Sequence, residues 1–399
     1  MTPHDGIPDE FVLNWPGRLV FGQGRFADLG AHAKALGTRA LLVTTRDLAD
    51  LGLAGRAEAL LRSAGLAVTV FTGVRPDPTC VDVDEAAVGA RAARVDLVVS
   101  VGGGSAIDFA KGLCAAATHA GPVWGYVNYA GADARPLAGD PLPHIAVPTT
   151  AGTGSEVSQG SVLDNPELGM KAALLNPRLY PRVAIVDPEL TLSLPPSVTA
   201  MSGFDALTHG IESFLNVQRS NPASELFALE AVRRAAGSLP RVLDDGQDRA
   251  ARAAMCWAAS CGGLAIGLSN ASVAHAMALP LGARLGTPHG LALSLLQPVV
   301  LAHTWEAQPE RCAGLAEAVG ACAADAPMLR KAESLAAWTG ELVRRIGLAG
   351  RGPRGGVDEA MLDRLAADVF AYMGRPVSQY LPVFTRDEVR AMYAEALAV

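Results

Sequence analysis

Short apolar runs alternate with amphipathic stretches through the first half of the chain. Five apolar runs have the length and flanking residues of strands: residues 40–44, 67–71, 96–101, 144–148 and 183–186. Three stretches with apolar side chains at helical spacing lie among them: residues 26–36, 54–64 and 106–117. Strands that alternate with helices at intervals of about 30 residues predict βαβ units and a parallel sheet.

The pattern changes after Val186. Residues 187–200 hold three prolines and end the series of predicted strands. Beyond them apolar residues recur at helical spacing, which predicts these helices: residues 200–215, 222–236, 249–266, 272–281 and 290–303. We therefore predict an α/β domain over residues 1–190 and an all-α domain over residues 191–399.

Composition narrows the class of protein. The 399 residues are half hydrophobic and 18% charged, which indicates a globular chain long enough for two domains. A net charge of −7 provides no basic surface for nucleic acid or an anionic membrane. No run reaches the ~18 uninterrupted apolar residues of a membrane helix, and the N-terminal residues lack the pattern of a secretory signal. The six cysteines form no CxxC pair, as expected of free thiols in a cytoplasmic enzyme.

Four residues of the second half carry the most distinctive chemistry. Asp205 and His209 stand four residues apart in a predicted helix, so their side chains share one face. His275 lies in a second predicted helix, and His289 follows Pro288 at the turn before a third. One carboxylate and three imidazoles suit Fe(II), Zn(II) or Mn(II), and the pattern does not choose among these metals. Each histidine taken singly also fits a hydrogen-bonded core residue.

A glycine-rich turn connects the predicted strand at 96–101 to the helix that follows it. Gly102, Gly103, Gly104 and Ser105 allow backbone N–H groups to approach a phosphate at the N-terminus of that helix. The turn matches neither the G-x-G-x-x-G motif nor a Walker loop. An ordinary strand-to-helix connection has the same residues, so the turn alone does not decide the matter.

The segment VPTTAGTGSE, at residues 147–156, adds hydroxyl groups after another predicted strand. Thr149, Thr150, Thr153 and Ser155 stand among glycines, and such a turn suits the phosphates, ribose and amide of a nicotinamide cofactor. A turn rich in Ser and Thr that caps a helix is the alternative explanation.

Together these motifs resemble the iron-dependent (group III) alcohol dehydrogenase family, which includes lactaldehyde reductase, propanediol dehydrogenase and butanol dehydrogenases. The resemblance covers almost the whole chain, from WPGRLVFGQGR at residues 15–25 to FTRDEVRAMYAEAL at residues 384–397. Between these ends it includes GGGSAIDFAK, PTTAGTGSE, GFDALTHGIES, HAMALPLG and PHG. The combination is more specific than any one of the motifs.

The resemblance implies a Rossmann-like dinucleotide-binding α/β domain followed by an all-α metal-binding and substrate domain. It implies this cofactor-binding set: Gly103, Gly104 and Ser105 for the pyrophosphate, Asp108 beside them, Thr149, Thr150 and Thr153 for the adenine and nicotinamide side, and Lys171 for the nicotinamide ribose. It assigns the metal, usually Fe(II) and sometimes Zn(II), to these ligands: Asp205, His209, His275 and His289.

The implied reaction is hydride transfer between C4 of NAD or NADP and a small alcohol or aldehyde, with the metal as a Lewis acid toward the substrate oxygen. The four metal ligands thereby act in catalysis through the metal. Two relatives of this fold are alternatives: maleylacetate reductase, which works without the metal, and dehydroquinate synthase, a lyase. The complete ligand set and the motifs favour the alcohol dehydrogenases over both, and over a catalytically silent member. A homo-oligomer, a dimer or larger, is the expected assembly.

The chain departs from the family's usual residues in two places that bear on chemistry. Leu279 stands where many members have a second histidine, four residues after the third ligand, so a candidate proton relay is missing. Thr45, followed by Arg46, replaces the acidic residue that NAD-preferring members have near the adenosine ribose. Because a carboxylate there would repel a 2′-phosphate, this pair favours NADP(H) or dual use. Arg46 as a solvated surface charge is the alternative.

Small and apolar residues are expected to line the substrate pocket: Gly160, Ile266, Leu279 and Phe370. They favour an aliphatic or moderately bulky aldehyde. The sequence identifies no arginine cluster that would select an anionic substrate.

Overall fold

A computed structural model of the chain describes these residues: 13–15, 17–129, 133–353 and 357–398, without the side chains of 372–376. They form two units, one of residues Asn14–Ser193 and one of Leu13 with the residues from Leu194 onward. The division after residue 190 that the sequence suggests stays a prediction about independently folding domains.

A parallel sheet forms the centre of the first unit. Its strands and those of a separate hairpin are β1 (Leu19–Phe21), β2 (Arg39–Thr45), β3 (Ala67–Val74), β4 (Leu97–Gly102), β5 (His144–Pro148), β6 (Gly160–Asn165), β7 (Met170–Leu175) and β8 (Val183–Val186). Six of them pair in the order β1–β8–β5–β4–β2–β3, and every pairing in this sheet is parallel. The five predicted strands are confirmed as β2, β3, β4, β5 and β8.

Helices cover both faces of the sheet: α1 (Leu29–Lys34), α2 (Arg46–Asp50), α3 (Leu53–Ser63), α4 (Cys80–Ala92) and α5 (Gly104–Thr118). On β2, Leu41 and Val43 join a buried cluster with Phe109 of α5. Ala40 and Leu42 belong to a second cluster, to which α1 and α3 contribute. Successive strand residues point to opposite faces, and here both faces are buried, as is typical of parallel sheets. The C-terminal ends of β2, β4 and β5 consequently lie at one edge of the sheet.

The antiparallel hairpin of β6 and β7 was not predicted. Its turn is stabilised by Asn165, whose side chain accepts hydrogen bonds from the N–H groups of Glu167 and Leu168, and by Gly169 at φ +58°. Burial alternates along β6, with Leu163 facing the core beside α5. Asp164 and other polar residues in so short a strand obscured this alternation in the sequence.

The second unit is helical over its described residues, which confirms the predicted all-α region. The helices are α6 (Pro196–Leu215), α7 (Pro222–Asp244), α8 (Arg249–Ser269), α9 (Val273–Leu285), α10 (His289–Ala302), α11 (Pro309–Val319), α12 (Met328–Arg345), α13 (Glu359–Ser378) and α14 (Arg386–Leu397). By length and hydropathy α8 could cross a membrane, but two thirds of its most apolar window is buried within the unit, as in a core helix.

Several predicted helices have different bounds in the structure, and two of the differences have a visible cause. The helix predicted to end at residue 236 continues through Pro240 to the end of α7. Leu239 and Val242 are buried there, and their burial offsets the backbone hydrogen bond that the proline cannot make. The helix predicted at 26–36 begins instead as a 3-10 turn before α1, where the Asp187 carboxylate accepts hydrogen bonds from the N–H groups of Gly24 and Phe26.

Candidate functional site

Helix α6 carries the central carboxylate of the candidate metal site. Every residue from 203 to 215 is buried, so the polar side chains in this stretch are removed from water and need partners. Asp205, His209 and Glu212 recur at i, i+4 and i+7, which brings them to one side of the helix. Sequence reasoning identified the first two residues and missed Glu212, although the same spacing signalled it.

Asp205 Oδ1 lies at the centre of a group of imidazole nitrogens. It is 3.5 Å from Nε2 of His209, 3.4 Å from Nε2 of His275 and 3.8 Å from Nε2 of His289. The rings of His209 and His275 stack, with centroids 4.6 Å apart. The four residues proposed as metal ligands therefore come together, although they belong to the three helices α6, α9 and α10.

The four side chains differ in exposure. Asp205, His209 and His275 are buried, whereas the side chain of His289 is 30% exposed. His289 therefore marks the side from which a small molecule can reach the group.

Two glycines allow the helices of the site to approach one another. A Cβ on Gly290 would lie 2.3 Å from the carbonyl oxygen of Met201, so α10 can pack this closely on α6 only with glycine at that position. A Cβ on Gly262 of α8 would lie 3.0 Å from Cβ of His209. Gly290 directly follows His289, and its close contact sets the distance of that histidine from Asp205.

Glu212 connects α6 to the first turn of α9. Its carboxylate accepts hydrogen bonds from the backbone N–H groups of Ser272 (2.9 Å) and Ala274 (2.5 Å), and its Oε2 lies 2.6 Å from Nδ1 of His275. The opposite ring nitrogen of His275, Nε2, is the one that faces Asp205. Glu212 therefore holds the imidazole by one nitrogen while the other remains directed at the candidate site.

Carboxylates dominate the electrostatics of the group. Burial opposes ionisation of Asp205, but the three imidazoles outweigh it and hold the pKa of that carboxyl well below its ordinary value. Burial likewise lowers the pKa of His275, yet Glu212 and Asp205 together raise it to about 9. Positive charge is thus favoured at this point, whether as a proton on His275 or as a metal ion.

The donor atoms fit a divalent metal. Among the described residues, Asp205 Oδ1 and His275 Nε2 are buried without a hydrogen-bond partner, which is costly unless a ligand satisfies them. Metal–ligand bonds of about 2.1 Å in a tetrahedron separate neighbouring donors by about 3.4 Å. The Oδ1–Nε2 distances of 3.4 and 3.5 Å match this spacing. Donor atoms of Asp205, His275 and His289 all lie within 4.8 Å of one another.

In the first unit, the glycine-rich turn packs against the threonine-rich segment. A Cβ on Gly103 would lie 3.1 Å from the Thr150 side chain, and a Cβ on Gly104 would lie 2.6 Å from that of Thr153. The Thr149 N–H donates a hydrogen bond to the Gly102 carbonyl at 3.0 Å. Two predicted motifs that are almost 50 residues apart thus form one surface at the C-terminal edge of the sheet.

Ser105 lies in the first turn of α5, which begins directly after Gly103 without a side-chain cap. The first backbone N–H groups of a helix point away from it and favour an anion. The candidate phosphate-binding turn therefore has the donors that a pyrophosphate requires.

Asp108 and Lys111 lie on the inner side of this surface. The Asp108 carboxylate accepts hydrogen bonds from Ser155 Oγ and from the Val162 N–H, which joins α5 to the threonine-rich segment and to β6. Lys111 is completely buried and donates to Ser155 Oγ (2.9 Å) and to the Gly160 carbonyl (2.7 Å). Burial lowers the pKa of Lys111 to about 8, against the opposing effect of Asp108. Sequence reasoning assigned Asp108 to the cofactor, and that role stays a prediction; its hydrogen bonds to Ser155 and Val162 join the segments around the turn.

Two other predicted cofactor residues also have protein partners. Lys171 on β7 forms an ion pair with Asp77 and lies 3.8 Å from Asp164. Thr45 ends β2 and caps α2, since its hydroxyl accepts a hydrogen bond from the Leu48 N–H.

The predicted pocket residues are partly exposed rather than buried in a core: Gly160 at the start of β6, Ile266 on α8, Leu279 on α9 and Phe370 on α13. Leu279 lies one helical turn after His275, so it shares the helix face of that candidate ligand.

Residues 16–188 match the sequence profile of the iron-containing alcohol dehydrogenases, and residues 199–397 match that of the C-terminal part of the same family. The chain belongs to the iron-containing alcohol dehydrogenase family.

Curated relatives within the family have several substrates in their names. The chain is 35% identical over 392 residues to long-chain-alcohol dehydrogenase 1 of Geobacillus thermodenitrificans, which covers 96% of this chain and 97% of the relative. It is 34% identical to choline dehydrogenase of Bacillus subtilis, over 88% of this chain and 87% of the relative. It is 36% identical to 1,3-propanediol dehydrogenase of Klebsiella pneumoniae, over 76% and 78% of the two chains.

Solved structures share the whole fold. A 1,3-propanediol oxidoreductase superposes with a TM-score of 0.90 at 32% identity, covering 97% of this chain and all of the other. A sulfoacetaldehyde reductase from Bifidobacterium kashiwanohense, solved in complex with NAD+, superposes with a TM-score of 0.84 at 31% identity, over 98% and 99% of the chains. This alcohol dehydrogenase is therefore a metal-dependent oxidoreductase that acts on CH–OH groups with a nicotinamide cofactor.

Proposed function

We propose that this dehydrogenase interconverts small aliphatic alcohols and aldehydes, and that Fe(II) is held by Asp205, His209, His275 and His289. The observation that carries the proposal is the group of three Nε2 atoms within 3.4–3.8 Å of Asp205 Oδ1. One carboxylate with three imidazoles suits Fe(II) or Zn(II), and the family's iron favours the first.

When bound, the metal supplies a Lewis acid for the substrate oxygen, and the nicotinamide exchanges the hydride with the substrate carbon. The chain's own residues prepare the site for this chemistry. Burial of Asp205 and His209 keeps water from their donor atoms and strengthens the electrostatic interactions around them. The partly exposed His289 lies on the side that a substrate can reach.

The cofactor is proposed to bind at the surface formed by the glycine-rich turn and the threonine-rich segment. Backbone N–H groups of Gly103, Gly104 and Ser105 would donate to the pyrophosphate, and Thr149, Thr150 and Thr153 would line the adenine and nicotinamide side. Asp108 would act indirectly, because its hydrogen bonds to Ser155 and Val162 hold the two segments together. Lys171, paired with Asp77, would reach the ribose of the nicotinamide half.

Use of NADP(H), or of both cofactors, is proposed from the residues that follow β2. Thr45 is neutral and Arg46 is exposed, so a 2′-phosphate would meet a cation rather than a carboxylate. Comparison of kcat/KM for NADPH and NADH tests this point. A strong preference for NADH would contradict it.

The substrate pocket is proposed to include Gly160, Ile266, Leu279 and Phe370, which favour an aliphatic or moderately bulky aldehyde. With Leu279 in place of a histidine, the side chain one turn after His275 has no proton to exchange, so water or a ribose hydroxyl would serve as the proton route. Initial rates with a series of linear aldehydes and one anionic aldehyde test the apolar pocket. Preference for the anionic compound would contradict it.

The decisive experiment is Asp205→Ala, with metal content, turnover and cofactor binding measured on the same preparation. We expect metal content to fall to background and kcat to fall by about three orders of magnitude or more, because the central donor is lost. Cofactor titration should give an unchanged Kd. Asp368→Asn is the matched control, since it alters another buried aspartate of the helical unit, paired with Arg284.

Full turnover by metal-free Asp205→Ala protein would refute the proposed metal site. Metal analysis of the wild-type protein also distinguishes Fe(II) from Zn(II). A homo-oligomer and a cytoplasmic location complete the proposal, and light scattering of the purified protein would test the first of these.

A further inference from the structure

The Glu212 carboxylate makes four contacts with the N-terminal end of α9. Oε1 accepts from the N–H groups of Ala274 (2.5 Å) and His275 (3.3 Å). Oε2 accepts from the N–H of Ser272 (2.9 Å) and lies 2.6 Å from Nδ1 of His275. The carboxylate is almost fully buried, with 1% of the residue exposed. Each oxygen therefore faces one backbone donor at least, and one oxygen also faces the imidazole.

The N-terminus of α9 has no cap of its own. Ser272 occupies the N-cap position without a side-chain capping bond, and its hydroxyl has no partner among the described residues. Glu212 takes over this role from a different helix, because its charge and its oxygens satisfy the first N–H groups of α9. The same carboxylate thus fixes both the start of α9 and the ring of the residue in its first turn.

These contacts determine which nitrogen of His275 carries the proton. An ionised carboxylate only accepts hydrogen bonds, and three backbone N–H groups already require Glu212 to accept. Nδ1 of His275 must therefore be the donor in the 2.6 Å contact. With the proton on Nδ1, the lone pair of the neutral imidazole is on Nε2, which faces Asp205.

We propose that Glu212 is a positioning residue of the metal site: by capping α9 and accepting the Nδ1 proton, it presents the Nε2 lone pair of His275 to the metal. The proposal rests on the metal site proposed above. A carboxylate in this position also makes the ligating nitrogen more basic, an effect that outer partners of metal-bound histidines commonly provide.

Glu212→Gln separates this role from simple space filling. If the amide NH2 takes the place of Oε2, it meets the Ser272 N–H and must donate to His275 Nδ1, which moves the imidazole proton to Nε2. If the NH2 instead takes the place of Oε1, this donor faces the backbone N–H groups of Ala274 and His275, which then lose their acceptor. Either orientation disturbs the donor–acceptor pattern, although the side chain has nearly the same volume.

The test measures zinc affinity by competition with a chromophoric chelator for the wild type, Glu212→Gln and Glu212→Asp. We expect Glu212→Gln to bind Zn²⁺ about 10- to 100-fold more weakly than the wild type. Glu212→Asp keeps the charge and should recover part of the affinity. In zinc-loaded protein labelled with 15N-histidine, the Nδ1–H signal of His275 should exchange slowly with solvent in the wild type, and should shift and exchange faster in Glu212→Gln because its carboxylate acceptor is lost.

Glu225→Gln is the matched control. Glu225 is a buried glutamate of the same unit, on α7, and pairs with Arg311 at 2.7 Å. Its substitution should lower the melting temperature and leave zinc affinity unchanged. Unchanged zinc affinity in Glu212→Gln, with only a lower melting temperature, would overturn the positioning role. If the wild type itself binds no zinc, the metal site is wrong as well, so the two failures are distinguishable.

Discussion

The two units of the molecule each bury a histidine, and the two imidazoles have opposite properties. His144 in the sheet unit is 3% exposed and shares a 2.8 Å hydrogen bond with Ser100, while burial and the nearby charge of Lys111 lower its pKa to about 3. His275 in the helical unit is 6% exposed, and Glu212 and Asp205 overcome burial and raise its pKa to about 9.

The difference lies in the carboxylates rather than in burial. Burial alone disfavours the charged imidazole, as it does for His144. Adjacent carboxylates reverse this effect and make the place where His275 lies attractive to a cation. A buried histidine is therefore a credible metal ligand only when the fold brings an acceptor to one nitrogen and another donor group to the opposite one.

The largest effect is expected from substitution of His275, and substitution of His144 should have a much smaller one. His275→Ala should abolish metal retention and lower kcat by about three orders of magnitude or more, because the substitution removes one metal ligand together with its hydrogen bond to Glu212. His144→Gln should retain the metal and most of the turnover, since its only polar side-chain contact among the described residues is with Ser100. Metal analysis and steady-state kinetics check both. Equal loss of turnover in the two variants would contradict the prediction that only His275 acts in the metal site.

The pH dependence of stability should also differ between them. The folded pKa of His144 is below the ordinary value of about 6.5, so its neutral form is favoured by folding. Its contribution is complete above pH 6.5 and is lost as the pH falls toward 3, by at most about 1.4 kcal/mol per pH unit. Between pH 6.5 and pH 5, the free energy of unfolding of the wild type should fall by about 2 kcal/mol more than that of His144→Gln.

For His275 the sign is reversed in the metal-free protein. A raised pKa means that its contribution is complete below pH 6.5 and is lost as the pH rises through about 9. Urea unfolding of the wild type and both histidine variants at about pH 5, 7 and 9, on both sides of the ordinary pKa, measures these slopes. Parallel pH profiles for the wild type and His144→Gln would contradict the assignment for His144.

A smaller effect is expected from Gly290→Ala, which acts on geometry without removing a ligand. The added Cβ would lie 2.3 Å from the Met201 carbonyl oxygen, so α10 must move away from α6 and carry His289 with it. We expect zinc affinity to fall about tenfold, equivalent to about 1.4 kcal/mol. Gly282→Ala is the control, because a Cβ there meets only Thr287 O at 3.6 Å. Equal affinities for both variants would show that helix spacing does not limit the site.

The smallest effect is expected at the exposed end of β2. Arg46→Ala should raise KM for NADPH by about two- to fivefold, since an exposed ionic contact contributes up to about 1 kcal/mol. KM for NADH should not change, because that cofactor has no 2′-phosphate. Equal changes for the two cofactors would indicate that Arg46 does not recognise the phosphate.

Sequence periodicity predicted much of the framework. The five apolar runs are strands because a parallel sheet buries both faces, and the predicted strand-to-helix connection is confirmed at Gly103, between β4 and α5. The hairpin of β6 and β7 was missed, since only alternate residues of a short strand are buried there. The hydrogen bonds of Asp108 with Ser155 and Val162 were not predicted either, because they depend on packing between segments far apart in sequence.

The sequence alone specifies local geometry. The four-residue separation of Asp205 and His209 brings them to one helix face wherever that helix lies, because the helical repeat alone decides it. Tertiary packing, in contrast, brings the Glu212 carboxylate to Nδ1 of His275, 63 residues further along the chain, and directs Nε2 at Asp205. No periodicity specifies such a pairing, because it depends on how close α9 and α6 can pack and on which polar atoms that packing leaves without water.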